Sequence, residues 1–515
     1  MKNIIIKSII FLILISSSYS CQDFLTEIPT DRSTTSNFFQ DMESLDKAVT
    51  STYRELTYWS WARGLTGARC RTVFMGADDF TSQPGSNKGD FKVGDLLDIT
   101  SSHTAISFAG WDMPYDVILQ ANFAIKGQRD LLEKGFEENE VNPKAAEAYF
   151  LRAWAYFRLV RLYGDLPIVV TPEYSPANTT VSRSPVRDVY DLILSDLEFA
   201  ISNLPETQLE RARINKWAAL SLRSKVYLTM ASWPLHEADK FALALTDAQD
   251  VIQNGPFAFE NDFSGVFDIE YELTNTEFIW QITQCGDNTC PGGNLTSPFA
   301  SQTTKPANLG GFDDLFIEKA YYNKFPEGAR KEYTFLSQLI SEDGTIIPWQ
   351  SFTWKHPALS KFFSGTVDKY APYETQIGAT SAAENDFPMF RITELMLIYS
   401  EAQIMGGGGD AGLALEYLNM VRRRAKGVVD ITQPDVDDLP SFTRQHVIDE
   451  RGWEFVGEMK RWFDLTRTET LAEALADRDP SEMLLVGDPS NKNLYYHPLP
   501  ALDLELNPNL TQNPR

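Results

Sequence analysis

Residues 148–156 read Ala-Tyr-Phe-Leu-Arg-Ala-Trp-Ala-Tyr, and residues 219–227 read Ala-Leu-Ser-Leu-Arg-Ser-Lys-Val-Tyr. Ala148, Leu151, Arg152 and Tyr156 thus return, each 71 residues on, as Ala219, Leu222, Arg223 and Tyr227. Such a period marks a repeated structural unit. Each copy opens a helix rich in alanine and aromatic residues, then a turn and a second helical stretch. The partner runs from Val186 to Leu204 in the first copy and from Ala238 to Gln253 in the second. A third pair runs from Ile392 to Met405 and, across Gly406–Gly409, from Ala411 through Lys426. No Gly-Lys-Ser/Thr follows those four glycines, so they read as a turn and not as a phosphate loop.

Alternating small and large side chains let antiparallel helices stack closely, in the tetratricopeptide-like manner. Outside the repeats, Ser36 has the character of an N-cap for a helix carrying Phe39, Met42, Leu45, Val49, Tyr53 and Leu56 at three- and four-residue steps. A second helix is expected from near Pro114 to Leu132. Two stretches, near 57–112 and 255–388, are rich in Gly, Pro, Asn, Thr and aromatics and have weak helical periodicity. Within the second, Glu277–Ile282 reads as a short strand with Trp280 in the core. The expected fold class is mostly α: tetratricopeptide-like helix pairs near 144–254 and 390–467 form a scaffold with large loop-rich insertions and a few short strands. Long ordered insertions on a rigid body are where binding residues concentrate.

The chain starts with Lys2 and Lys7 around an apolar run, Ile9–Ile15, then Ser16 to Ser20 and Cys21. A basic start, a short apolar stretch and a small residue make a secretory signal, too short to span a bilayer stably. With the cysteine directly after Ser20, this resembles the lipobox of bacterial lipoproteins, although Ser18 and Tyr19 depart from the preferred residues there. The expectation is a signal peptide over 1–20, a lipidated tether over 21–35 beginning at an acylated Cys21, and one domain over 36–515. No later stretch of 18 apolar residues follows. The net charge of −25 becomes −27 without Lys2 and Lys7. That argues against nucleic acid and against electrostatic attachment to anionic lipid. Cys285 and Cys290 bracket a turn-like stretch and are expected to form a disulfide in an oxidising compartment, while Cys70 is left over and buried. The five histidines are scattered, so no metal site is expected.

From Asp449 the chain reads Asp-Glu-Arg-Gly-Trp-Glu-Phe-Val-Gly-Glu-Met-Lys-Arg-Trp-Phe-Asp-Leu-Thr-Arg. On a helix, Arg451, Glu454, Glu458, Arg461, Asp464 and Arg467 make a stripe of alternating charge. Trp453, Val456, Met459 and Phe463 fall on a face expected to be buried. Glu450, Glu454 and Glu458 each have an arginine in reach, which favours ionised carboxylates over the raised pKa of a general acid. This stretch closely resembles the Glu-Arg…Glu…Gly…Arg-Trp-x-Asp-Leu-x-Arg signature of the SusD/RagB family. Ser20–Leu25, Arg152–Phe157 with Tyr163–Pro167, Arg391–Ala402, Leu418–Ala425 and His497–Pro514 resemble other family segments in the same order. The resemblance implies four tetratricopeptide-like helix pairs, no catalysis, no cofactor, and a SusC-like TonB-dependent outer-membrane barrel as partner. It also implies glycan ligands for most members and peptides for some. It fixes no ligand residues.

Sugar rings offer apolar C–H faces and a rim of hydroxyls, so candidate ligand groups are aromatics beside amide, carboxylate and guanidinium groups. In the first insertion these are Trp59 and Trp61 beside Arg63, then Asp78, Asp79, Gln83, Asn87 and His103. In the second they are Tyr321 and Tyr322, then Trp349, Gln350, Phe352 and Trp354. The competing assignment is that these rings pack the loops onto the helices, since Trp is highly buried on average. Peptide capture, which needs a long polar groove, stays open beside glycan capture. A surface glycoside hydrolase would need a carboxylate pair in an apolar cleft, and none is evident. A bare interaction scaffold leaves the aromatic-rich insertions without a role.

Overall fold

The Asp41 carboxylate accepts from the Ser44 backbone N–H at 2.9 Å and starts helix α1 (Met42–Thr57). The helix therefore begins later than the Ser36 cap anticipates, and Phe39 instead turns back against Phe123 at 4.8 Å. The computed structural model describes residues 37–57, 65, 68–85, 89–172, 180–271, 273–283, 315–362, 368–376 and 385–515. Ser36, the leader, the tether with Cys21, Trp59, Trp61, Arg63, Asn87, Cys285 and Cys290 lie outside the described residues.

Among the described residues, the helices that build the stacked body with α1 are α2 (Met113–Glu133), α3 (Glu138–Tyr163), α4 (Val186–Asn203), α5 (Lys216–Met230), α6 (Lys240–Asn254), α7 (Ile392–Ala402) and α8 (Ala411–Lys426). Each packs against the next, so α1/α2, α3/α4, α5/α6 and α7/α8 form four stacked helix pairs. About 54% of the described residues are helical, as the mostly-α expectation requires. The alanines of α3 and α5, Ala145, Ala153 and Ala219 among them, are fully buried and let neighbouring backbones approach. That closeness lets Ser224 Oγ donate to the Ala244 carbonyl and Ser400 Oγ to the Ala414 carbonyl, both at 2.7 Å. The repeat arginines do matching work. Arg152 grips Asp196, and Arg223 grips Asp247, through Nε and Nη2 at 2.7–2.8 Å.

Helix ends follow local chemistry. Asn215 and Asp410 cap α5 and α8 through their side-chain oxygens, and α8 stops at Gly427, whose φ is +86°. The four-glycine turn leaves α7 through one wide turn over Gln403–Gly407, with Gly406 at φ +91°. Strand β1 (Phe278–Ile282) is wholly buried and pairs antiparallel with β2 (Phe387–Arg391). Trp280 lies in the core, edge-on to Phe150 at 5.1 Å, as the sequence suggests. Cys70 is free and buried, with Arg158 Nη2 donating to its Sγ at 3.1 Å. Among the described residues no helix is long and apolar enough to cross a membrane.

Residues 449–467 correct the expectation of one continuous charged helix. Helix α9 (Arg444–Glu454) ends and α10 (Arg461–Arg467) begins seven residues later. Between them Gly457 has φ +83° and Met459 φ +57°, conformations no α-helix contains. A Cβ on Gly457 would lie 2.6 Å from a Leu359 methyl, so this turn is pressed against the second insertion. Val456 and Phe463 are buried as expected, but Trp453 and Met459 are only half-buried. The charged residues point inward, not along a solvated stripe.

Candidate functional site

The turn between α9 and α10 faces a lattice of buried ion pairs. Glu454 takes Arg391 Nη1 at 2.9 Å and Arg424 Nη2 at 2.7 Å on one oxygen, and Arg330 Nη1 at 2.9 Å on the other. Glu458 takes Lys361 Nζ at 2.6 Å and Arg391 Nη2 at 2.8 Å, and Glu450 takes Arg330 Nη1 at 2.6 Å. Burial alone would raise the Glu454 and Glu458 carboxyls, but the guanidiniums and Lys361 outweigh it. Glu454 is held well below the usual carboxylate range and Glu458 at about 2. A second lattice joins Glu394 to Lys225, Arg451 and Lys460, and Glu401 to Arg467. Neither Glu454 nor Glu458 can hold a proton for general-acid work near neutrality. Both act as rivets: Arg330 and Lys361 belong to the second insertion.

The two insertions meet at a short antiparallel pairing, Phe80–Thr81 against Phe316–Ile317. From that seam the chain delivers Gln83 from one side and Trp354 with His356 from the other. The Trp354 ring lies so close to Gly85 that a Cβ there would come within 3.2 Å of it. His356 directs Nε2 to Glu482 Oε1 at 2.7 Å and Nδ1 to the Trp354 carbonyl at 2.5 Å. Gln83 Nε2 donates to Glu482 Oε2 at 3.1 Å, and Lys319 Nζ stands 3.4 Å from Oε1. Burial pushes the Glu482 carboxyl up, but His356, Lys319 and Arg478 together bring it below its ordinary value. A second aromatic group sits on the same insertion. Trp349 meets Tyr322 edge-on at 5.9 Å, and Lys331 lies 4.5 Å over the Tyr322 ring.

The predicted site residues divide accordingly. Trp349 and Trp354 are half-buried, with Gln350 exposed beside them. Tyr322 is half-buried against Trp349, and Gln83 stands beside the His356–Glu482 pair. Tyr321, by contrast, is buried, and its hydroxyl donates to the Gly452 carbonyl at 2.7 Å, so it is framework and presents no free face. Phe352 is buried in a small cluster with Leu336 and Leu339. Asp78 is engaged by Arg461 Nε and Nη2 at 2.6 and 2.7 Å. Asp79 is buried, and burial followed by repulsion from Asp78 raises its carboxyl to about 7. His103 is away from the seam and accepts from the Thr100 N–H through Nδ1 at 2.9 Å, capping its own turn.

His356, Glu482, Lys319 and Arg478 were not visible as site residues in the sequence. Glu482 lies 126 positions from His356 and 399 from Gln83, so no spacing links them. Among the described residues no group of three or more His, Cys, Asp or Glu side chains is placed to hold a metal ion.

A family model described as "SusD family" matches residues 299–515, and one described as "Starch-binding associating with outer membrane" matches residues 23–228. The chain is similar to SusD-like protein P2 of Formosa agariphila, 27% identical over 536 aligned positions that cover 98% of each chain. Its fold is similar to that of a SusD homolog from Bacteroides thetaiotaomicron VPI-5482, with TM-score 0.77 and 19% identity over 94% of this chain and 99% of the other. It is likewise similar to surface glycan-binding protein A from Bacteroides fluxus, with TM-score 0.72 and 21% identity over 92% and 99% of the two chains.

Proposed function

The chain belongs to the SusD/RagB family, and on that premise we propose that it is a surface lipoprotein that captures glycans and passes them to a SusC-like TonB-dependent barrel. Residues 1–20 are the leader, acylated Cys21 holds the mature chain on the outer membrane, and the helical body presents its insertions to ligand. The observation that carries the reading is the placement of Trp349 and Trp354, two half-buried indoles five residues apart on one insertion. Near Trp354, Gln83 and Lys319 supply amide and ammonium groups suited to hydroxyls, held in place by the buried His356–Glu482 pair. The relative from Bacteroides fluxus, a surface glycan-binding protein by name, supports the ligand class.

The protein catalyses nothing in this reading, because its conspicuous carboxylates are committed to cations. Calorimetry of the mature protein against a panel of oligosaccharides and unmodified peptides tests it. Binding of an oligosaccharide, left uncleaved after prolonged incubation, is expected. Binding of peptides alone, or turnover of any glycan, overturns it.

A further inference from the structure

Arg161, on the last turn of α3, has no carboxylate against it. Its guanidinium is held between two rings, 3.8 Å from the centre of Phe157 and 3.7 Å from that of Phe463 on α10. Nε donates to the Phe157 carbonyl at 2.9 Å. Nη1 and Nη2 meet no acceptor among the described residues. They are not sealed in either: Arg161 is half-buried, and its fork keeps accessible surface, whereas Nε of neighbouring Arg158 is enclosed.

The carboxylates nearby are already spent. Glu394 serves Lys225, Arg451 and Lys460, Asp464 serves Arg451 and Arg467, and Glu237 serves Arg187. Burial therefore pulls the Arg161 guanidinium down to about 9. Arg152, Arg330 and Arg451 are buried too, but each faces a carboxylate and is raised instead. Two hydroxyls stand by the same fork. Tyr190 on α4 is 1% exposed, packs on the Phe157 ring at 6.3 Å, and bonds to nothing among the described residues. It is the neighbour that most favours the Arg161 charge. Tyr496, an electrostatic neighbour of Tyr190, closes in so tightly that a Cβ on Gly164 would lie 2.9 Å from its ring. Trp233 lies beside it at 4.8 Å.

We propose that Arg161, with the Tyr190 and Tyr496 hydroxyls, forms a site for one carboxylate group of a small organic acid. A guanidinium fork offers two parallel N–H groups to the two oxygens of a carboxylate, and phenols can donate to the lone pairs left over. Rings on both faces of the fork stop it from swinging, so little ordering is left to the moment of binding. They also favour a planar group over a tetrahedral oxyanion. A chain of net charge −25 repels anions in general, so saturable uptake of one requires a specific cradle. The site is independent of the glycan reading above.

Ligand-observed NMR and calorimetry on the full mature chain, at fixed ionic strength, test it with acetate, glucuronate, sulfate and methyl glucoside. Glucuronate and acetate are expected to bind saturably at one site, and the Trp349→Ala, Trp354→Ala double variant keeps that binding. Equal affinity for the two assigns recognition to the carboxylate alone, and tighter glucuronate binding adds the sugar ring to the same site. Arg161→Lys keeps the charge but loses the fork, and is expected to weaken binding about ten-fold. Tyr190→Phe removes a single hydroxyl and is expected to weaken it several-fold. This second variant decides the matter if Arg161→Lys fails to fold by circular dichroism. Absence of saturable carboxylate binding, or its loss in the double tryptophan variant, overturns the proposal. So does sulfate or methyl glucoside binding as tightly as glucuronate, or unchanged affinity in either variant that folds.

Discussion

Arg152 and Asp196 face each other across α3 and α4 with two parallel N–H···O bonds, and both side chains are almost wholly buried. Arg223 and Asp247 repeat the geometry across α5 and α6, but with the arginine 23% exposed. A buried pair contributes most when one member is removed, since the other is then stranded without water. Asp196→Ala is therefore expected to cost about 3–5 kcal/mol, and Asp247→Ala about 1–3 kcal/mol because solvent reaches Arg223. Denaturant midpoints measured side by side check the order, and equal losses would refute it.

Asp79 gives a stability change with a definite sign. Its carboxyl titrates at about 7 in the folded chain, against about 3.9 when unfolded, because of burial and then the Asp78 charge. Between those values the folded state keeps a proton that the unfolded state has lost, so this group makes stability fall as pH rises. Asp79→Asn is expected to stabilise the protein at pH 8, by about 2–4 kcal/mol, and to change little below pH 4. Unfolding curves at the two pH values decide it.

Tyr321 separates framework from the rings proposed to bind ligand. Removing its hydroxyl in Tyr321→Phe leaves the Gly452 carbonyl without its donor, and is expected to cost about 1–2 kcal/mol of stability with oligosaccharide affinity at the seam kept. Trp349→Ala and Trp354→Ala are each expected to lose about 1–2 kcal/mol of affinity, roughly ten-fold. Calorimetry paired with thermal melts distinguishes the two patterns.

Anchoring is tested at Cys21. One acyl chain binds membranes marginally and two or three hold firmly, so Cys21→Ala is expected to release the protein into soluble fractions or leave it unprocessed. Fractionation followed by immunoblotting reads this out, and full membrane retention of the variant would contradict the anchor.

Cys285 and Cys290 are expected to be bonded in the exported protein. So short a loop yields no more than about 2–3 kcal/mol. Intact-mass spectra before and after reduction settle the pairing, and two free thiols in fresh protein would exclude it.

Much of the scaffold was legible in the sequence because helix periodicity and repeat spacing are local signals. Val186–Asn203 and Ala411–Lys426 lie within a residue of their expected bounds, and the Glu277–Ile282 strand is present. The break after Glu454 was not legible, since charges at helical steps suggest a helix until their partners are known. Glu454 before the turn pairs with Arg330, Arg391 and Arg424, and Glu458 after it pairs with Lys361 and Arg391, all from distant segments. Trp349 and Trp354 could be named because aromatics in a polar, aperiodic stretch stand out. The His356–Glu482 pair could not, because nothing in either neighbourhood points to the other.

The ion pairs that fasten the insertions have a bearing on how the protein responds to dissolved salt. Lys361 with Glu458 and Arg330 with Glu450 tie the second insertion to the turn after α9 and to α9 itself, and Asp95 with Arg478 ties the first to the C-terminal region. Each has at least one member with almost no exposed surface, so dissolved salt, which damps the interaction of exposed charges over a length of about 8 Å at physiological strength, finds little to act on. Moved from dilute medium to brine, the insertions are expected to keep their shape while exposed contacts such as Lys324 with Asp477 loosen. The counter-ions that hold it are covalently part of the chain and cannot be exchanged.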